Sequence, residues 1–88
     1  MEVLELINSG SQELKNNNVN SYRLDSEILL AKILKKKREE LLVSLDQKVN
    51  SYTIRNFKKL ISRRSLKEPI AYILKKKEFW SKDFYVNK

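Results

Sequence analysis

The stretch Ser21-Tyr22-Arg23-Leu24-Asp25-Ser26-Glu27-Ile28-Leu29-Leu30-Ala31-Lys32-Ile33-Leu34 sets the architecture. Leu24, Ile28, Ala31 and Leu34 recur at helical spacing, and Leu30 and Ile33 widen the stripe. A stripe this wide predicts burial against more than one neighbour, so other helices must pack around this one. Ser21 predicts its N-cap, with Asp25 and Glu27 near the positive end of the helix dipole. Lys35-Lys36-Lys37 comes next, at the negative end, where cations complement the dipole.

On the N-terminal side, the segment from Glu2 to about Asn17 predicts a first helix, with Val3, Leu4, Ile7 and Leu14 near one face. Ser9-Gly10-Ser11 weakens its middle, because Gly costs about 1 kcal/mol against Ala in a helix. Asn16-Asn17-Asn18 ends it, since Asn tolerates left-handed backbone. Downstream, Arg38 to Leu45 predicts a short helix with Leu41, Leu42 and Leu45 inward. Asp46-Gln47-Lys48 reads as a loop. Asn50 predicts the cap of a further helix, with Val49 stapled onto Ile54. Ile54, Phe57, Leu60 and Ile61 form its inner stripe, and Arg63 and Arg64 close its last turn. Pro69 fits the first position of a fifth helix, packed down by Ile70, Ile73 and Leu74. Phe79-Trp80 and Phe84-Tyr85-Val86 flank Ser81-Lys82-Asp83 and predict a small β-hairpin.

The expected fold is therefore all-α: a small bundle of about five helices with a short C-terminal β-hairpin. Residues 1–77 form the helical domain and residues 78–88 the hairpin or linker. The expected core is Leu4, Ile7, Leu24, Ile28, Ala31, Leu34, Leu41, Leu42, Phe57, Leu60, Ile61, Ile70 and Ile73. At 88 residues the chain has room for one thin core and none for a nucleotide-binding sheet with a substrate pocket.

Composition narrows the chemistry. The chain has no Cys and no His, which removes thiolate sites, the commonest metal ligand and the commonest general base. One Gly leaves no phosphate-cradling loop. Glu39-Glu40 and the Asp25/Glu27 pair sit at spacings whose side chains diverge on a helix, so they read as solvated surface acids. No catalytic, cofactor or metal residue is assigned, and the chain is expected to be non-catalytic alone. No apolar run approaches the roughly 18 residues of a bilayer span, and no signal peptide is recognised. A cytoplasmic monomer without membrane contact is the expectation.

The net charge of +8 has two readings. A chain rich in Lys, Asn and Ile acquires such an excess from base composition alone, and this reading is preferred. The other is a polyanionic partner. The charge is uneven: residues 1–28 hold five acids and two bases, and residues 29–88 hold six acids and 17 bases. Lys35 to Arg38, Arg63-Arg64 and Lys75 to Lys77 are basic clusters near helix ends, and Phe79 and Trp80 come after the last of them. Aromatics beside bases stack nucleobases in some proteins, so RNA or the ribosome is the alternative partner. No nucleic-acid motif stands out.

Three groups of residues carry something more specific. They are Arg23-Leu24-Asp25-Ser26-Glu27-Ile28-Leu29-Leu30-Ala31; Arg38 with Leu41-Leu42; and the run from Arg63-Arg64 through Glu68-Pro69-Ile70-Ala71-Tyr72-Ile73-Leu74 to Glu78-Phe79-Trp80, Phe84 and Val86. Together they resemble the N-terminal domain of the release factor glutamine methyltransferases, the PrmC/HemK family, from Arg23 to Val86. The first helix matches in character only. Lys35 and Lys75 depart from the pattern, which usually has Gly at both places. The resemblance implies a helical substrate-recognition domain whose hairpin ties it to a catalytic domain absent from this chain. That domain would bind S-adenosylmethionine, so no cofactor is expected here. The implied partners are that catalytic domain and the class 1 peptide-chain release factors, whose Gly-Gly-Gln glutamine is methylated. Candidate contacts, chosen by charge, are Lys36, Lys37, Arg38, Arg63 and Arg64. Arg64 has an alternative structural reading, pairing with Glu68. Asp25, Glu68, Pro69, Phe79 and Trp80 are read as structural.

Overall fold

The computed structural model describes residues 1–75. Five helices succeed one another: α1 (Val3–Asn16), α2 (Tyr22–Leu34), α3 (Arg38–Leu42), α4 (Ser51–Ser65) and α5 (Ile70–Lys75). The described residues form no sheet; their one β-type contact is an antiparallel bridge between Glu2 and Lys48. The expected hairpin, with Phe79 and Trp80, lies outside the described residues. No described helix is long and apolar enough to cross a membrane.

α2 is the hub. It packs against all four other helices, and α1 also packs against α4. The breadth of its apolar stripe agrees with this, but its inner face is rotated from the expected one. Leu29, Leu30 and Ala31 are buried, Ile28 and Leu34 are half-buried, and Leu24 is 44% exposed. The inner face is set by Ser26, Leu29, Leu30 and Ile33, with Asp25 and Glu27 buried at its flanks. Leu4 is a second correction: it lies at the exposed edge of α1, while Val3, Leu6, Ile7 and Leu14 face inward. Leu41, Phe57, Leu60, Ile61 and Ile73 are buried as expected, and Leu42 and Ile70 are half-buried.

Gly10 does not interrupt α1. An added Cβ there would stand 2.6 Å from Phe57 Cζ and 2.7 Å from Ser26 Oγ. The missing side chain lets α1 approach both α2 and α4. Ser26 uses that closeness, donating from Oγ to the Ile7 carbonyl at 2.9 Å. This satisfies a hydroxyl that is fully buried.

The helix ends reflect local chemistry. The first amides of α1 donate to the loop before α4, Val3 to the Gln47 carbonyl and Leu4 to that of Leu45. Asn50 caps α4 by accepting from the Thr53 amide at 2.8 Å. Val49 and Ile54 both pack against the core, as the staple requires. Ser21 stands at the N-cap of α2 but its hydroxyl donates to Asp25 Oδ2 instead of capping. α3 stops at Leu42, short of the expected Leu45, where Ser44 turns its hydroxyl back onto the Glu40 and Leu41 carbonyls. Pro69 precedes α5, and its carbonyl accepts from the Ile73 amide.

Three helices end in the same left-handed turn, at Asn18 (φ 66°), Lys35 (φ 59°) and Lys67 (φ 74°). In each, the next amide reaches back five residues: Val19 to Leu14, Lys36 to Ala31, Glu68 to Arg63. The Lys35 departure from Gly therefore leaves the turn intact, at a backbone cost of about 1–2 kcal/mol.

Candidate functional site

The charged residues singled out in the sequence divide into those that hold the helices together and those that face outward. Asp25 is 3% exposed and Glu27 4% exposed, so they are buried ion-pair acids and not the solvated ones expected. Asp25 Oδ2 accepts from Arg64 Nε at 2.8 Å, which joins α2 to α4. Glu27 accepts from Arg38 Nε at 2.7 Å on one oxygen and from Arg23 Nε at 3.0 Å on the other. The first of these joins α2 to α3. Arg23 also donates to Asn8 Oδ1 at 2.6 Å, reaching α1. Burying a carboxylate is unfavourable unless it is paired and hydrogen-bonded, and here each acid has two donors.

The pairing expected for Arg64 is corrected. Arg63 makes the bidentate pair with Glu68, at 2.9 and 2.7 Å, while Arg64 gives Glu68 only a bond to its carbonyl. Two adjacent arginines thus point different ways, one to the loop acid before α5 and one to α2. Of the charge-chosen candidates, Arg38, Arg63 and Arg64 are engaged within the domain. Lys36 donates to Gln47 Oε1 at 2.9 Å. Lys37 is exposed, and its backbone amide donates to Glu40.

A different basic face is present that the charge clusters did not reveal. α4 contains no Asp or Glu. Arg55, Lys58 and Lys59 are exposed on its outer side, and none makes a hydrogen bond or ion pair with another described residue. The signal was available in the sequence, as bases at i, i+3 and i+4 in a segment without acids. It was hidden because adjacent clusters look denser than a face does.

Among the described residues no group of His, Cys, Asp and Glu is arranged to hold a metal. The only Gly is buried between Phe57 and Ser26, so it cannot open a cofactor loop. These features define a small all-helical domain whose buried charges serve its architecture, with a further set of cations facing outward on one helix.

A family model described as the PrmC N-terminal domain matches residues 5–74. The chain belongs to that family. It is 40% identical over 86 residues to a bifunctional methyltransferase of Rickettsia felis, covering 98% of this chain and 16% of that protein. It is 35% identical over 85 residues to a release factor glutamine methyltransferase of Leptospira interrogans, covering 97% of this chain and 30% of that protein. A release factor glutamine methyltransferase of Coxiella burnetii is 46% identical over 59 residues, 67% of this chain and 21% of that protein. The chain therefore spans a third or less of the length of these relatives. No solved structure matches it.

Proposed function

We propose that this chain is the release-factor-recognition domain of a peptide-chain release factor glutamine methyltransferase. It holds the class 1 release factor while the Gly-Gly-Gln glutamine enters a separate catalytic domain. That domain transfers a methyl group from S-adenosylmethionine to the glutamine amide nitrogen. Residues 1–77 are the recognition domain and residues 78–88 lead toward the catalytic domain. The observation that carries the reading is the family match over residues 5–74, in a chain corresponding to 30% of a relative named for release factor glutamine methylation.

The physical role is argued from what the domain contains. It has no His, no Cys and no Gly-rich loop, so its contribution to catalysis is binding energy. Contacts remote from the reacting atoms position a substrate and lower the barrier only when the whole substrate is present. A rigid bundle with internal ion pairs is suited to this, since little conformational freedom remains to be lost on binding.

The test is to join this chain to its catalytic domain and compare the product with the catalytic domain alone. kcat/KM should rise for an intact release factor and stay nearly unchanged for a short glutamine peptide. Equal gains on both substrates would exclude a recognition role.

A further inference from the structure

Tyr52, Arg55, Lys58, Lys59 and Ser62 are exposed on α4, and Leu66 stands just past its end. At about 100° per residue these six positions fall within one arc of about 120°. Leu66 is 83% exposed, unlike the buried Leu60 one and a half turns earlier. The strip thus sets three cations, unpaired among the described residues, between two exposed apolar side chains.

We infer that this strip of α4 grips an acidic surface of a protein partner that offers an apolar contact for Leu66. The inference rests on the release-factor reading and locates its contact. Four of the arginines in the described residues, Arg23, Arg38, Arg63 and Arg64, are already paired with carboxylates. The α4 cations have no such pairing among the described residues, and no acid on their own helix screens them. Such a face accelerates encounter with an acidic surface and fixes its register. The exposed Leu66 supplies the apolar contact that charges alone do not.

Two other occupants fit less well. Residues 76–88 of this chain carry four Lys against Glu78 and Asp83, so their net charge repels the strip. Affinity for a nucleic-acid backbone grows with the number of phosphates that cations neutralise. Arg55 to Lys59 covers only about 6 Å of helix axis, and the flanking positions are apolar or neutral.

The experiment measures the affinity of the full chain for an intact class 1 release factor at low salt. It compares Arg55→Glu/Lys58→Glu/Lys59→Glu, Leu66→Ser, and Lys48→Glu as a charge change off the strip. All are at exposed positions, and helical circular dichroism checks that each variant folds. If the triple variant loses its helical signal, Lys58→Glu and Lys59→Glu are measured singly in its place. The triple variant and Leu66→Ser should each weaken binding by about tenfold or more, with Lys48→Glu close to the unsubstituted chain. A triple variant that binds as well as the unsubstituted chain overturns the α4 inference and leaves the recognition reading standing. An unsubstituted chain that ignores the factor overturns the recognition reading itself. If it instead binds an RNA hairpin through α4, with affinity falling steeply in salt, the partner is RNA and the inference fails.

Discussion

Among single residues, the positions that matter most are small or unusually placed. Gly10 sets the distance between three helices. Its substitution by Ala sets two effects against each other. Ala gains about 1 kcal/mol of helix propensity. Its Cβ, however, would meet Phe57 Cζ at 2.6 Å and Ser26 Oγ at 2.7 Å. Phe57 is 1% exposed and has no room to swing, and Ser26 is held by its bond to the Ile7 carbonyl. Overpacking of this kind costs about 1–3 kcal/mol, so the clash wins. Gly10→Ala should lower the unfolding free energy by about 1–2 kcal/mol in urea titration. Phe57→Leu removes the ring that the new methyl strikes. Each additional loss should therefore be smaller in the double variant than in the single ones. A Gly10→Ala chain more stable than the parent would mean that propensity, and not packing, governs this position.

Between helices, apolar periodicity showed where the elements lie but not how they are joined. The five helices, the Asn50 cap and the Asn-rich end of α1 were all legible, because capping and spacing are local. The rotation of α2 was not. Asp25, Ser26 and Glu27 look polar and therefore outward, yet their partners Arg64, Ile7 and Arg38 lie 39, 19 and 11 positions away. Only tertiary packing brings them together, and it turns Leu24 out. The same holds for the left-handed Lys35 and Lys67. Neither residue type favours that geometry, but the bond from the next amide holds it. The Arg64–Asp25 bond is the connection most open to test. Its carboxylate side chain is 5% exposed and its arginine side chain 18% exposed. Removing one partner leaves the other buried and uncompensated, at a cost of about 3 kcal/mol. Asp25→Leu and Arg64→Met should each show a loss of that order in chemical denaturation. Asp25→Leu/Arg64→Met should lose far less than twice that amount, because no lone charge remains. Losses that simply add would show that the two side chains act independently and that α2 and α4 are held by apolar contact alone.

For the molecule as a whole, the question is where the folding unit ends. Among the described residues, the buried hydrophobic ones run from Val3 to Ile73, drawn from all five helices and the Val19 turn. The two ends of that span are tied in. Val3 and Leu4 donate to the loop before α4, and Val49 donates to Met1. Lys67, from the turn after α4, reaches the Asn17 and Asn18 carbonyls at 2.6 and 3.0 Å. Ile73 on α5 is fully buried. Such closure, from the first residue to the last short helix, makes unfolding of any one helix expensive for the rest, as a cooperative domain requires. A chain cut after Lys75 should therefore unfold in one transition. It should retain the helical circular dichroism of the described helices. Its thermal midpoint should lie within about 4–8 °C of the 88-residue chain, a difference of about 1 kcal/mol for a domain this size. The cut removes Trp80, the only Trp, and Tyr85, so circular dichroism is the matched probe for both chains. A truncated chain that melts broadly, or not at all, would show that residues 76–88 complete the core. In that event residues 1–75 would not be a separable folding unit. A single sharp transition instead makes residues 1–75 a module that folds on its own. The α4 strip would then be carried on a frame whose stability does not depend on residues 76–88.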